Sequence, residues 1–536
     1  MTTPRQRTIL LCVAAVCAAT RFLAVARSPW DWDELLFCHA LRDYDVARHH
    51  PHPPGFPLFI GLAKLVRLFI DSDFRALQVI TVAASLLVFP AVYFFARTIA
   101  LRFETAVSAG VLCALFPTVW FFGGTAFTDV PSMVLVTFAA ALFLRNRYWS
   151  GTVLLALAIG IRPQNLLIGF IPGLIATRKR KTWKVLLALL IGMVIVAAIY
   201  GAAMQATGVE RFRDAFRAQS DYVLHNDSFL NPERPALFNL IERFFLKPYG
   251  PTYLSILLSL LVVIGLFARG RPGLLAMATF GPFALFAWLM LDRFQVTRYA
   301  IAYAPMLAIL AASGIATVAR KYEPAVSAAV ALVLIIWTMP ALTQVRTRLS
   351  PAVAAIEELR RTKPPSLFVG HSMMVFVDYY LPGTKYERVI DFRGLPVRWE
   401  GEPWLLADTT SRLKEHNRLW SILRRQYFAA QLAPVRDLPR FVNGWDEQRV
   451  MRTRSTTILP KRTGEQMLRL DLHTPAGVKA TLTVTLNGRR LDTIALDGGT
   501  FLNRDYRVQP AETNVLELAV TPACDIRLEA LSWGPV

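Results

Sequence analysis

Apolar stretches close to the roughly 20 residues that one membrane crossing needs recur from residue 8 to about residue 343 and then stop. Residues 8–26 form the first. It follows Arg5 and Arg7, as the apolar part of a cleaved signal peptide also does, but Arg21 interrupts the run and favours a retained first helix. Short basic loops stay on the cytoplasmic side, which turns the later spans into a parity problem. The loops Arg97–Arg102, Arg145–Arg147, Arg178–Lys184, Arg269–Arg271 and Arg320–Lys321 all face one way under a single arrangement of crossings. Those crossings run 76–96, 105–122 and 129–144, then a pair of short helices over 151–176 broken near Arg162-Pro163, then 184–204, 251–267, 273–291, 298–318 and 323–342. The reading predicts about 11 transmembrane helices and an extracytoplasmic C-terminal part. A crossing at 54–70 would invert every later loop, so this stretch, with Lys64 and Arg67, reads as an interfacial or re-entrant helix. The membrane domain is therefore 1–343, with large external loops at 27–75 and 205–250.

Two patterns follow. Residues 344–462 mix a helical stretch (AVAAIEELRR) with strand-like SLFVG and EPWLLAD, which predicts a small α/β domain. Residues 463–536 alternate instead, through MLRLDL, ATLTVTL, RLDTIAL, NVLELAV and IRLEAL. Asn487-Gly488 between two of these runs is a hairpin signal, and an antiparallel β-sandwich is predicted.

Composition agrees with a membrane protein: 54% of the 536 residues are hydrophobic, 18% are charged, and mean hydropathy is +0.39. The formal net charge of +21 invites a nucleic-acid reading, but much of the excess sits in loops between apolar runs. There positive charge sets topology and meets anionic lipid, and no nucleic-acid-binding module accompanies it. The five cysteines, Cys12, Cys17, Cys38, Cys113 and Cys524, form neither a disulfide framework nor a zinc pattern.

The most unusual segment is Trp30–Pro57, with five acidic residues, four of the chain's eight histidines and a Pro-Pro-Gly, directly after the first span. Carboxylates at the mouth of a membrane domain either take a proton from a hydroxyl or hold a divalent cation; the plain alternative is a solvated acidic turn. Asp129, in GGTAFTDVPSM, lies where the fourth span begins and also suits a helix cap, but the parity argument puts it on the same face as Asp33 and Glu34. Arg162 and Arg298 lie near external helix ends, where arginine suits phosphate as well as plain snorkelling. Asp221, Tyr222, His225, Asn226 and Asp227 are accessory candidates in the second external loop.

Together these residues resemble the GT-C superfamily of polyprenyl-phosphate-sugar glycosyltransferases, in particular the branch with protein O-mannosyltransferases and the aminoarabinose transferase of lipid A. The likeness covers roughly residues 8–342. It rests on the Asp-Glu pair after the first helix (Asp33, Glu34), Pro53-Pro54 before an amphipathic helix, Thr128-Asp129 before the fourth crossing, Arg162 in a broken hairpin, and Arg298-Tyr299 opening a late helix with Pro305 following. The resemblance implies catalytic Asp33, Glu34 and Asp129, with the donor phosphate near Arg162, Arg298 and Tyr299. Asp33 takes the proton from an acceptor hydroxyl, which attacks the anomeric carbon opposite the phosphate with inversion. Asp31, His49, His50, His52 and His225 are substrate-loop candidates, Asp31 competing with Asp33 as the base. His52-Pro53-Pro54-Gly55 is also similar to a second GT-C branch, and the C-terminal sandwich resembles carbohydrate-binding modules, with Trp533 a candidate sugar platform.

The expected partners are a polyprenyl-phosphate-linked sugar donor, a glycan, lipid or protein acceptor, and the bilayer, with no nucleic acid. Sugar and acceptor stay open. So does the metal: a divalent cation (Mg, Mn or Ca) is compatible with the resemblance, and no complete ligand set demands one. The expected location is a bacterial inner membrane with the active site on the periplasmic side. The alternative is a lipid or sugar transporter or flippase, which also needs many spans and buried charge, but no convincing inverted repeat is visible.

Overall fold

The computed structural model describes residues 3–536 except 179, 233–240, 242–244, 246–248, 251, 269, 291–296, 390–402, 409–421, 423–429, 436–437, 447–448, 476, 500 and 536. It divides into two compact units, residues 1–350 with 413–425, and residues 351–412 with 426–536.

The first unit is helical. It opens with α1 (Pro4–Arg21), α2 (Trp32–Arg42), α3 (Pro57–Arg67), α4 (Asp73–Leu86), α5 (Val88–Thr98), α6 (Phe103–Leu115), α7 (Pro117–Phe122) and α8 (Asp129–Leu144). Next come α9 (Tyr148–Ile161), α10 (Asn165–Thr177), α11 (Thr182–Thr207) and α12 (Val209–Tyr222), then α13 (Thr252–Ala268), α14 (Arg271–Met290), α15 (Ala304–Ala319) and α16 (Glu323–Thr347). Among the described residues, five helical stretches are long and apolar enough to cross a membrane. Leu186, Leu190 and Val194 of α11 stand exposed, a surface that water would not tolerate and lipid does. The chain is an integral membrane protein.

Proline accounts for several departures from single unbroken spans. The 76–96 stretch is divided into α4 and α5 at Leu87, three residues before Pro90. The 105–122 stretch divides at Phe116, which takes an extended ψ of 126° ahead of Pro117, as a residue before proline must. The 298–318 stretch begins as a 3-10 turn, Thr297–Tyr303, before Pro305 starts α15. Stretch 54–70 contains α3, with Phe59, Ile60 and Ala63 buried and Leu62, Leu65, Leu68 and Phe69 exposed around and beyond it. Glycine decides one crossing: a Cβ on Gly265 of α13 would lie 1.9 Å from the Leu310 carbonyl oxygen, and one on Gly314 of α15 2.0 Å from that of Leu261.

The segment 205–250 begins with α12 and a π-helical turn, Val223–Asp227. α12 docks on the first long loop: Phe212 packs with Val46 and Ala203, Arg211 meets Asp45 at 2.5 Å, and Val46 N–H donates to Thr207 Oγ1 at 3.1 Å.

In the second unit, helix α17 (Pro351–Thr362) precedes a mixed sheet of β1 (Leu367–Gly370), β2 (Glu387–Val389), β3 (Trp404–Asp408) and β4 (Ala430–Pro434) in the order β2-β1-β3-β4. Strands β1, β2 and β3 run parallel and β4 antiparallel to β3. The sandwich consists of β5 (Arg440–Asn443), β6 (Val450–Met451), β7 (Arg454–Leu459), β8 (Gln466–His473), β9 (Lys479–Leu486), β10 (Arg489–Asp497), β11 (Phe501–Val508), β12 (Asn514–Thr521) and β13 (Ile526–Pro535). Its sheets run β10-β9-β12-β7-β5 and β11-β8-β13-β6. They close on Leu468, Leu470, Leu472, Leu482, Val484, Leu516 and Leu518. Asn487 (φ 53°) and Gly488 (φ 77°) turn the β9–β10 hairpin, the left-handed pair such a turn requires. The sandwich draws in residues 440–459, ahead of the boundary at 463, because its first three strands are too short or too polar to alternate visibly. Trp533 is not a sugar platform: it is buried in the core and its Nε1–H donates to the Pro460 carbonyl at 2.8 Å.

Candidate active site

Helix α2 follows directly on the exit of α1. Asp31 caps it, accepting from Asp33 N–H at 3.0 Å, and Glu34 completes a capping box. Glu34 does more than cap. One of its oxygens accepts from the N–H groups of Trp30 (2.6 Å) and Asp31 (3.0 Å), and the other from Ala126 N–H at 2.8 Å. A fully buried carboxyl thus fastens the start of α2 to the segment leading into Asp129. Burial pushes Glu34 up to about 8, against the pull of its three backbone donors.

That segment is held from a second side. Gln78 Nε2 donates to the carbonyls of Ala26 (3.0 Å) and Gly124 (2.7 Å), Ala26 N–H donates to the Gly124 carbonyl (2.9 Å), and Arg75 donates to Gln78 and Ala26. The approach is so close that a Cβ on Gly124 would lie 1.9 Å from the Ala24 oxygen. Thr81 Oγ1 donates to the Phe127 carbonyl at 2.9 Å. Asp73, buried at the start of α4, accepts from Arg42 (2.7 Å) and Arg67 (2.8 Å), which ties the C-terminal ends of α2 and α3 together.

On this scaffold two carboxylates meet two guanidinium groups. Asp33 Oδ2 accepts from Arg298 Nη2 at 2.6 Å, and both side chains are largely buried. Asp129 Oδ2 accepts from Arg162 Nη2 at 2.9 Å, while Arg162 Nε donates to Thr128 Oγ1 at 2.8 Å. Arg162 is held in the α9–α10 break by Asn165, whose Nδ2 donates to Ser132 Oγ and the Ala158 carbonyl, both at 2.7 Å. Aromatic rings line the space between the pairs: the Arg298 guanidinium lies 4.6 Å from the Phe127 ring and 5.6 Å from that of Tyr299, and Arg162 lies 5.7 Å from Phe56. His52 joins them, its Nδ1 3.9 Å from Asp33 Oδ1 and its ring 5.0 Å from Phe56. Burial pushes His52 down to about 4, with Asp33 pulling the other way and Arg298, His49 and Arg162 adding to the fall. The electrostatic neighbours of Arg298 include Asp33, Asp129, Tyr299 and Asp31. The structure therefore brings Asp31, Asp33, Asp129, Arg162, Arg298, Tyr299 and His52 into one site.

The other histidines make different contacts. His39 and His50 stack with ring centroids 4.6 Å apart, and His49 is exposed at a left-handed turn. His225 is exposed on the π-helical turn, its Nδ1 2.8 Å from the Asp221 carbonyl oxygen. Gln78, Asp73, Gly124 and Asn165 are the residues that sequence reading misses; a polar residue inside an apolar helix is the only signal Gln78 gives.

Among the described residues no group of three or more His, Cys, Asp and Glu side chains is arranged to hold a metal ion. Asp33 and Asp129 are engaged by arginines, so the cluster as folded does not suit a divalent cation.

No protein-family model matches the chain, and no curated protein matches it. Among solved structures it is similar to ArnT from Cupriavidus metallidurans bound to undecaprenyl phosphate, at 13% identity over 71% of this chain and 86% of that one, with TM-score 0.49. It is similar to the Archaeoglobus fulgidus oligosaccharyltransferase in complex with Zn and sulfate, at 11% identity over 98% and 97% of the two chains, TM-score 0.43. A third is arabinosyltransferase EmbB from Mycobacterium smegmatis, at 12% identity over 100% of this chain and 65% of that one, TM-score 0.41. All three are GT-C glycosyltransferases. With TM-scores below 0.5, these likenesses carry no weight for the chemistry, which the residues of the site must supply.

Proposed function

We propose that the chain is an inverting membrane glycosyltransferase, moving a hexosyl or pentosyl group from a polyprenyl-phosphate donor to an acceptor hydroxyl. In this reading it works on the periplasmic face of a bacterial inner membrane. The observation that carries the proposal is the convergence of two buried carboxylate–arginine pairs around aromatic walls, with one arginine incompletely satisfied.

Arg298 spends Nη2 on Asp33, while its Nε and Nη1 are buried and find no hydrogen-bond partner among the described residues. Such donors call for an anion, and a phosphate supplies the matching oxygens. Arg162 differs, since Thr128 and Asp129 already engage its Nε and Nη2. It orients Asp129 in this reading, and Arg298 is the main phosphate contact.

Arrival of the phosphate competes with Asp33 for one guanidinium, loosening the base as the leaving group is held. Asp33 then accepts the hydroxyl proton while the acceptor oxygen attacks the anomeric carbon. The bond from that carbon to the phosphate oxygen breaks on the opposite face, its electron pair leaves with the phosphate, and arginine meets the charge. His52, held neutral by burial at neutral pH, orients the acceptor hydroxyl. Asp31 serves as the helix cap that places Asp33, which favours Asp33 as the base.

The test is release of polyprenyl phosphate by purified protein supplied with a polyprenyl-phosphate sugar and candidate acceptors. Release that depends on an acceptor and disappears in Asp33→Asn, with the thermal midpoint retained, supports the reading. Passage of intact donor across a vesicle membrane without cleavage replaces it with a flippase.

A further inference from the structure

A cavity lies away from this cluster. A groove of about 870 Å³ runs between α1, α6 and α16, within the size range of small-molecule and lipid sites. Its walls are apolar along most of their length, from Ile9, Val13 and Val16 on α1 to Val111 on α6 and Leu332 and Ile335 on α16. Polar groups gather at the end nearest the start of α1. Arg5 stands there on one wall and Glu104 on another, both exposed, and among the described residues no ion pair engages either. Ser327, also lining the groove, keeps a buried Oγ that has no hydrogen-bond partner among the described residues. It lies one turn along α16 from Glu323, whose carboxylate accepts from Arg102 at 2.6 Å.

We propose that this groove holds one zwitterionic glycerophospholipid of the phosphatidylethanolamine type, its headgroup at the N-terminal end of α1. A cation and an anion lining the same end of one groove match a headgroup that carries phosphate and ammonium together. Phosphate goes to Arg5, and ammonium goes to Glu104. The Ser327 hydroxyl, deeper by a turn, donates to an ester carbonyl, and an acyl chain covers the apolar walls. A polyprenyl-phosphate donor is the wrong occupant. The mouth lies at the start of α1, and the Asp33 cluster follows its other end, 18 residues away, or about 27 Å along the helix. The inference does not depend on the transferase reading.

The full chain is reconstituted in bilayers of equal phosphatidylethanolamine and phosphatidylglycerol, extracted in mild detergent, and its retained lipid weighed by native mass spectrometry. Wild type is expected to retain phosphatidylethanolamine preferentially. Glu104→Lys shifts the ratio toward phosphatidylglycerol by up to about fivefold, the most an exposed charge pair supports, while Glu210→Lys, an exposed reversal on α12, leaves it unchanged. Val13→Trp fills the groove and loses both lipids. Equal retention of the two lipids by wild type, retained polyprenyl phosphate in their place, or an equal shift in Glu104→Lys and Glu210→Lys overturns the proposal.

Discussion

Asp33 and Arg298 sit 2.6 Å apart with little access to water, and removing half of a buried pair strands the other half. Arg298→Leu is expected to lower stability by about 3–5 kcal/mol, and the double variant Asp33→Leu/Arg298→Leu to recover much of that, read as thermal midpoints in one detergent. Catalysis is separable from folding: Asp33→Asn is expected to cut turnover by about 10²–10⁴-fold, the usual range for a general base. His52 adds a pH dependence. Its folded value is about 4 against 6.5 in the open chain, so the unfolded state binds more protons between those limits. Its contribution to stability is full above pH 6.5 and drains away as pH falls toward 4; His52→Asn should flatten that slope in a melting series. The residues themselves were legible because an isolated charge beside an apolar run needs a reason to be there. Their pairing was not, since nothing in a linear sequence says which carboxylate meets which guanidinium. Glu34 is a second case: its place beside Asp33 is plain in the sequence, and the three backbone N–H groups it binds are not.

Among the elements, the junction of the α1 exit with the segment before α8 is the most exacting. Gly124→Ala places a methyl on the Ala24 oxygen, and the overlap should cost about 1–3 kcal/mol. Turnover should fall more steeply than stability alone explains, because the same segment carries Asp129. Circular dichroism melts alongside the release assay separate the two. Apolar length made most of these helices visible in the sequence, and proline explains why three expected spans are subdivided. What stayed hidden was the polar bracing between them. Gln78, Arg75 and Asp73 find their partners across 46 to 52 residues or at two helix ends at once, and periodicity carries no trace of such distant bonds.

For the molecule as a whole, the alternating run from β8 onward gave away the sandwich because each strand buries every second side chain. β11 escaped, since Asn503, Arg504, Asp505 and Arg507 break its hydrophobic rhythm. Trp533→Ala should destabilise the sandwich by about 3–5 kcal/mol, read as a thermal midpoint of the full chain. Sidedness has its own check: single cysteines introduced at the exposed positions 180 and 490 should react with impermeant reagent from opposite sides of the membrane. The Glu34 latch also constrains how the site can breathe. By gripping backbone at Asp31 and at Ala126, it joins the segments that carry Asp33 and Asp129 into one fixed unit. In the proposed transferase, adjustment to cargo then falls to the segment that carries Arg298, and sequence swaps there, leaving the acids alone, are expected to change the donor preference read in the release assay.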